Sequence, residues 1–126
     1  MKIREYMSSE VVTVTPQTLL SEARRQLEAS GLRCLPVVEG RTLVGLLLAS
    51  DLPGETAPDT EVQALMRSPN VTVTPNGAIE RAAILMLQHD VRGLPVVDDH
   101  EQLVGVLTVS DLLGVLVAHP PVRLWG

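Results

Sequence analysis

Apolar residues recur along this chain with two periods, every second residue and every third or fourth, and the order of those stretches occurs twice. The first copy opens with a short helix ending at Met7. It runs into "VTVT" at Val12–Thr15, whose β-branched alternation predicts a strand that Pro16 stops. Leu19, Leu20, Ala23 and Leu27 then fall at helical spacing, with Thr18 placed to cap that helix and Gly31 to end it. Two further strands follow, at "LPVV" and "LVGLLLA", joined by a polar turn, and Ser50-Asp51 opens a closing helix. The second copy repeats the order. A short helix ends at Met66, "VTVT" spans Val71–Thr74 before Pro75, and Ile79, Ala82, Ala83 and Met86 form the helical stripe. "LPVV" and "LVGVLTV" supply strands, and Ser110-Asp111 opens the last helix.

The copies superpose at fixed offsets. "MSSEVVTVTP" (Met7–Pro16) falls on "MRSPNVTVTP" (Met66–Pro75), and "LRCLPVVE" (Leu32–Glu39) on "VRGLPVVD" (Val91–Asp98). After one extra residue in the turn, "LVGLLLASDL" meets "LVGVLTVSDL". Two copies make a pseudo-symmetric pair rather than a solenoid. The expected fold is α+β within the α/β class: two pseudo-symmetric β-α-β-β-α repeats. Repeat one covers residues 1–58 with an N-terminal helix and the linker "PGETAPD", repeat two covers 59–119, and 120–126 is a tail. The long helices differ: Arg25, Gln26 and Glu28 in the first become Ile84, Leu85 and Leu87 in the second. A helix apolar nearly all round needs cover on more than one side. Either the closing helix of the same chain or a second copy of the chain could give it, and self-association through Ile84, Leu85 and Leu87 is the expectation carried forward.

Composition narrows the functional classes. No apolar run approaches the length of a membrane span, and Met1–Val14 has no apolar core of the signal-peptide kind, so a cytoplasmic protein without a membrane role is expected. A net charge of −5 with no basic cluster disfavours nucleic acid, and with Tyr6 and Trp125 as the only aromatics there is no base-stacking platform. The single cysteine, Cys34, excludes an intrachain disulfide, and it falls in a predicted strand with no histidine beside it, so it reads as packing rather than nucleophile. His89, His100 and His119 have no metal-ligand spacing. No catalytic residue or metal site is expected. The tail "HPPVRLWG" has no counterpart in the first copy, and Trp125 is expected either to dock on a neighbouring subunit, the reading preferred, or to stay loose.

The motifs "VTVTP" twice, Arg-x-Leu-Pro-Val-Val twice and Gly-x-x-Thr-x-Ser-Asp once in full resemble, in this order, a tandem pair of CBS domains, the cystathionine β-synthase repeat also called a Bateman module. The resemblance spans about Ile3 to Val117. It implies two β-α-β-β-α halves packed through their sheets about a pseudo-two-fold axis, clefts between them where many members bind adenosine-containing ligands, and disc-like dimers formed through helices. It leaves no room for a catalytic domain.

An adenine nucleotide requires an acceptor for its ribose diol, an apolar slot for its base and positive charge for its phosphate. The resemblance makes Asp111 and Thr108 the ribose pair, with Ser110 beside them and Gly105 leaving the approach open. It sets Arg92 and Arg33 toward phosphate. It also gives Thr13, Val14, Thr15, Thr72, Val73 and Thr74, with Leu35, Pro36, Leu94 and Pro95, as walls for the base, and Asp51 as the counterpart of Asp111. A carboxylate can accept two hydroxyl hydrogen bonds at once. Helix capping accounts equally well for Ser110 and Asp111, strand formation for the Thr-x-Thr pairs, and solvation for the arginines. Leu48 stands where the second copy has Thr108, and Pro53 shortens the helix after Asp51, so one competent site at Asp111 is expected, with the other weak, empty or used otherwise. The resulting expectation is a stand-alone regulatory module for AMP, ADP, ATP or S-adenosylmethionine that signals to an effector protein. The alternative is a structural dimerisation module with vestigial ligand sites.

Overall fold

A computed structural model describes residues 1–54, 59–69 and 71–119; the Trp125 tail lies outside them. Among the described residues are three α-helices, α1 (Leu20–Ser30), α2 (Ile79–His89) and α3 (Val109–Ala118), and four strands, β1 (Cys34–Glu39), β2 (Thr42–Leu48), β3 (Gly93–Val97) and β4 (Leu103–Thr108). The strands pair as β1-β2 and β3-β4 in two separate two-stranded sheets. The fold is α+β, as the periodicity implies.

Two compact units divide the chain, and they do not follow the repeat boundary. Unit one combines Met1–Val11, Val71–Asp99 and the residues from Val104 on; unit two combines the described part of 12–70 with His100–Leu103. The repeat boundary at residue 58 is one of sequence order; in space the N-terminal segment lies with residues 71–99 and those from 104 on. Backbone bonds hold it there, from Ile3 to Gly77 (3.0 Å), from Arg4 to Pro75 (2.9 Å) and in both directions between Ser8 and Val106 (3.0 and 2.9 Å). Residues 61–67 make the corresponding contacts in unit two, where Arg67 and Leu46 exchange two bonds of 2.8 Å.

Each unit has its own apolar core. In unit one Ile3, Val73, Ile79, Ala82, Met86, Leu94, Val96, Leu107 and Val115 are buried together. In unit two Val14, Leu20, Ala23, Leu27, Leu35, Val37, Leu47 and Val62 are. The helical stripes read from sequence are these inward faces, with two exceptions: Leu19 is exposed, and Ala83 is only half-buried. On α2, Leu85 packs against the core of its own unit, whereas Ile84 and Leu87 are 45% and 84% exposed.

Local departures from the sequence reading have local causes. Each "VTVT" stretch contributes a single parallel bridge, Val14 to Val37 and Val73 to Val96, rather than a strand. Thr18 does not cap α1. Leu19 holds the N-cap position with no side-chain bond, and the Thr18 hydroxyl instead accepts from the Thr15 amide at 3.0 Å. Gly31 does end α1, in the left-handed region at φ 70°, while Asp90 ends α2 at φ 51°. The closing helix of the first repeat is reduced to a 3-10 turn at Ala49–Asp51.

Candidate functional site

The strongest motif, Gly105 to Asp111, lies where β4 turns into α3. Thr108 is the N-cap of α3, so Ser110 and Asp111 stand inside its first turn rather than ahead of it, as the sequence reading had them. The Asp111 Oδ2 accepts from the Thr108 amide at 2.7 Å and from the Thr108 hydroxyl at 2.9 Å; the Asp111 amide donates back to Thr108 Oγ1 at 3.3 Å. This reciprocal box satisfies amides that a helix start would leave unpaired. Asp111 is half-buried, Ser110 exposed. Capping, one of the two roles open from sequence, is therefore real, yet it engages one carboxylate oxygen. Oδ1 takes no partner among the described residues. A carboxylate oxygen carries two lone-pair sites, so Oδ1 retains capacity for two hydroxyl donors, and the cap fixes where it points.

Arg92 belongs to the same corner. Its carbonyl accepts from the Val109 amide at 2.9 Å, which holds the residue beside the start of α3 with its side chain exposed. Thr72 and Thr74 flank Val73, whose amide donates to Pro95 (3.1 Å) and whose carbonyl accepts from Val97 (2.9 Å). In unit one the structure thus brings Arg92, Thr108, Ser110 and Asp111 together at the start of α3, and sets Thr72, Val73 and Thr74 beside Pro95–Val97 of β3.

Unit two carries the equivalent set: Thr13, Val14, Thr15, Arg33, Leu35, Pro36 and Asp51. The Arg33 carbonyl accepts from Ala49 (2.8 Å), and Val14 bonds Pro36 and Val38 (3.1 and 2.8 Å). Val14, Val73, Leu35 and Leu94 have their side chains in the cores, and both backbone groups of Val14 and Val73 are engaged, so these residues support a site rather than line it. The threonines beside them keep the polar groups, although Thr15 shares its hydroxyl with Thr18 at 3.1 Å.

The two aspartates differ in one decisive respect. Leu48 cannot cap, and Asp51 is instead gripped by Arg67, with Nε on Oδ2 and Nη2 on Oδ1, both at 2.6 Å. Hydrogen bonding to that guanidinium, aided by its charge and opposed by some desolvation, holds the Asp51 carboxyl below its usual range. The sequence reading missed Arg67, although the signal was present: in the offset repeat its counterpart is Ser8, whose hydroxyl turns to the Glu10 carbonyl at 3.4 Å. Cys34, at the start of β1, has its thiol pushed up to about 11 by burial, which suppresses the thiolate at neutral pH. Among the described residues no cluster of His, Cys, Asp and Glu could hold a metal, and no helix is long and apolar enough to cross a membrane.

Comparison with known proteins supplies the family. The CBS domain model matches residues 3–52 and 62–118. The chain is 33% identical over 115 residues to the CBS domain-containing protein YhcV of Bacillus subtilis, covering 87% of this chain and 81% of that one. It is 30% identical over 111 residues to the inosine-5'-monophosphate dehydrogenase of Korarchaeum cryptofilum, covering 88% of this chain but only 23% of the enzyme. Among solved structures, CBSX2 in complex with AMP has a TM-score of 0.85 at 24% identity, covering 94% and 98% of the two chains. The CBS domain pair of protein MJ0100, in complex with 5'-methylthioadenosine and S-adenosyl-L-methionine, has a TM-score of 0.81 at 22% identity, covering 94% and 97%. With both repeats matched by the family model and the fold shared with such pairs, the chain belongs to the CBS domain family as a tandem pair.

Proposed function

We propose that this chain is a regulatory module that takes an adenosine-containing small molecule at the Thr108–Asp111 corner and passes the binding event to an effector protein. The observation that carries the reading is the unpartnered Oδ1 of Asp111, fixed by its own cap in a half-buried position. A ribose diol supplies the two donors this oxygen can accept, and charge-assisted bonds of that kind are stronger than neutral ones. Arg92 supplies positive charge beside it for a phosphate, and Thr72 and Thr74 supply polar groups toward the base. The AMP and S-adenosyl-L-methionine complexes of proteins sharing this fold support the ligand class, AMP, ADP, ATP or S-adenosylmethionine. Signalling would follow from differential affinity: a ligand preferring one conformation shifts the population toward it, and the effector reads the shift. No chemical step is assigned to the module.

Thermal melting with each of these four ligands tests the reading. At ligand near a hundred times its dissociation constant the protein should gain about 2.7 kcal/mol, several degrees of melting temperature. Asp111→Ala should melt lower by itself, through loss of the cap, and should show no ligand response. A response unchanged in Asp111→Ala, or none in the wild type, would overturn the assignment.

A second reading, a dimerisation module with vestigial ligand sites, rests on a separate observation. Ile84 and Leu87 on α2, with Leu113, Leu116 and Val117 on α3, are 45 to 84% exposed, an apolar surface of the kind that marks association. Its signature is a dimer in solution whose melting temperature ignores every nucleotide. Dimerisation and ligand binding are compatible, and we propose both, with the homodimer formed through these helices.

A further inference from the structure

The internal repeat provides a control for the site: the same corner, built twice, with one carboxylate open and one closed. In unit two Arg67 exchanges its backbone bonds with Leu46 as Ser8 does with Val106 in unit one, so the two residues occupy equivalent places beside equivalent strands. Ser8 is too short to reach Asp111. Arg67 spans the distance and sets its planar fork on both oxygens of Asp51. The pair is partly solvated, with the Arg67 side chain 63% and the Asp51 side chain 20% exposed.

Resting on the ligand-site reading above, we propose that Arg67 closes the Asp51 corner to ligand, engaging both carboxylate oxygens so that neither is left open as Oδ1 of Asp111 is, and restricting the chain to one adenosine-type molecule at Asp111. Leu48 alone would only weaken the corner, since a missing hydroxyl bond costs up to about tenfold in affinity. A guanidinium seated on the carboxylate is different in kind, because the ligand must first displace it. Arg67 is thereby a specificity-determining residue that acts through Asp51. The pair also makes the corner independent of the cap that Leu48 lacks, since Asp51 is fixed without a threonine.

The test uses AMP and isothermal titration. Wild type should bind one AMP per chain, R67S should bind two, and R67S/D111A should keep one, held at Asp51. Adding L48T to R67S should tighten that second site by up to about tenfold. NMR titration supplies a readout independent of ligand: the Asp51 carboxyl should titrate higher in R67S than in wild type. A folded R67S/D111A that binds no AMP overturns the closure, as does an Asp51 titration unmoved by the substitution. An R67S protein that loses its single AMP also overturns it, because Arg67 would then be a ligand contact. Should wild type bind no AMP while R67S/D111A does, the assignment to Asp111 falls and the closure stands.

Discussion

At the scale of single residues, the two aspartates show what a repeat can and cannot announce. Both were legible as candidates, and so was the loss of the hydroxyl at Leu48. Capping of Asp111 was among its readings, because its partner Thr108 is three residues away; what escaped was the fate of the Asp51 carboxylate, which depends on Arg67, sixteen residues along the chain. Thr108 answers a structural need, and the cap it forms is absent where leucine replaces it. The Asp51 pair makes its contribution at neutral pH. Because its folded pKa is depressed, that contribution fades as pH falls below the ordinary carboxylate range. Cys34 behaves oppositely. Its folded thiol titrates at about 11 against an ordinary 9.0, so stability is flat below pH 9 and falls between about 9 and 11 as the unfolded chain ionises. Alkylation by iodoacetamide at pH 8 should accordingly be slow in the native protein and fast once it is denatured. Equal rates would show that the thiol is not shielded.

At the scale of elements, the helices were the most legible part because their faces carry a period that burial preserves. Leu20, Ala23 and Leu27, and likewise Ile79, Ala82 and Met86, are core residues as their spacing implies. The "VTVT" stretches were misread as strands for an equally physical reason: β-branched alternation suits an extended backbone, but only the central valine of each finds a bridging partner. Propensity supplied the conformation and tertiary context withheld the pairing. The short first-repeat closing turn follows from a missing cap at Leu48 and from Pro53 directly after Leu52, which disfavours helix at the residue before it. On α2 the apolar residues read as one outer face separate in two, with Leu85 turned to the core and Leu87 left at 84% exposure. Leu87→Glu should therefore leave the melting temperature of each unit nearly unchanged while converting dimer to monomer in sedimentation velocity. An unaltered dimer would place the association surface elsewhere.

At the scale of the molecule, the repeat was visible in the sequence but the exchange of segments was not. Period and composition are indifferent to which copy a segment completes, and the N-terminal segment completes the later one. Ile3, 1% exposed, is a core member of the unit that contains Val71–Asp99 and the residues from Val104 on. Ile3→Ala should destabilise that unit by about 2–5 kcal/mol, measured by denaturant unfolding followed with a probe in α2 or α3. A fragment cut at the repeat boundary, residues 59–119, should fail to fold cooperatively alone and should recover when a peptide of residues 1–11 is added. A fragment that folds without the peptide would show Ile3 to be dispensable.

The bond between Ser8 and Val106 sets a timetable for synthesis. Residues 1–11 leave the ribosome well ahead of Val106 and must wait, unpaired, until it has followed, a delay of seconds at about 5–20 residues per second. During that interval Ile3 and Met7 remain without their core, whereas most of the unit containing α1 has already emerged. Nascent chains of this protein should thus pass through a stage in which the unit containing α1 is folded and residues 1–11 are not.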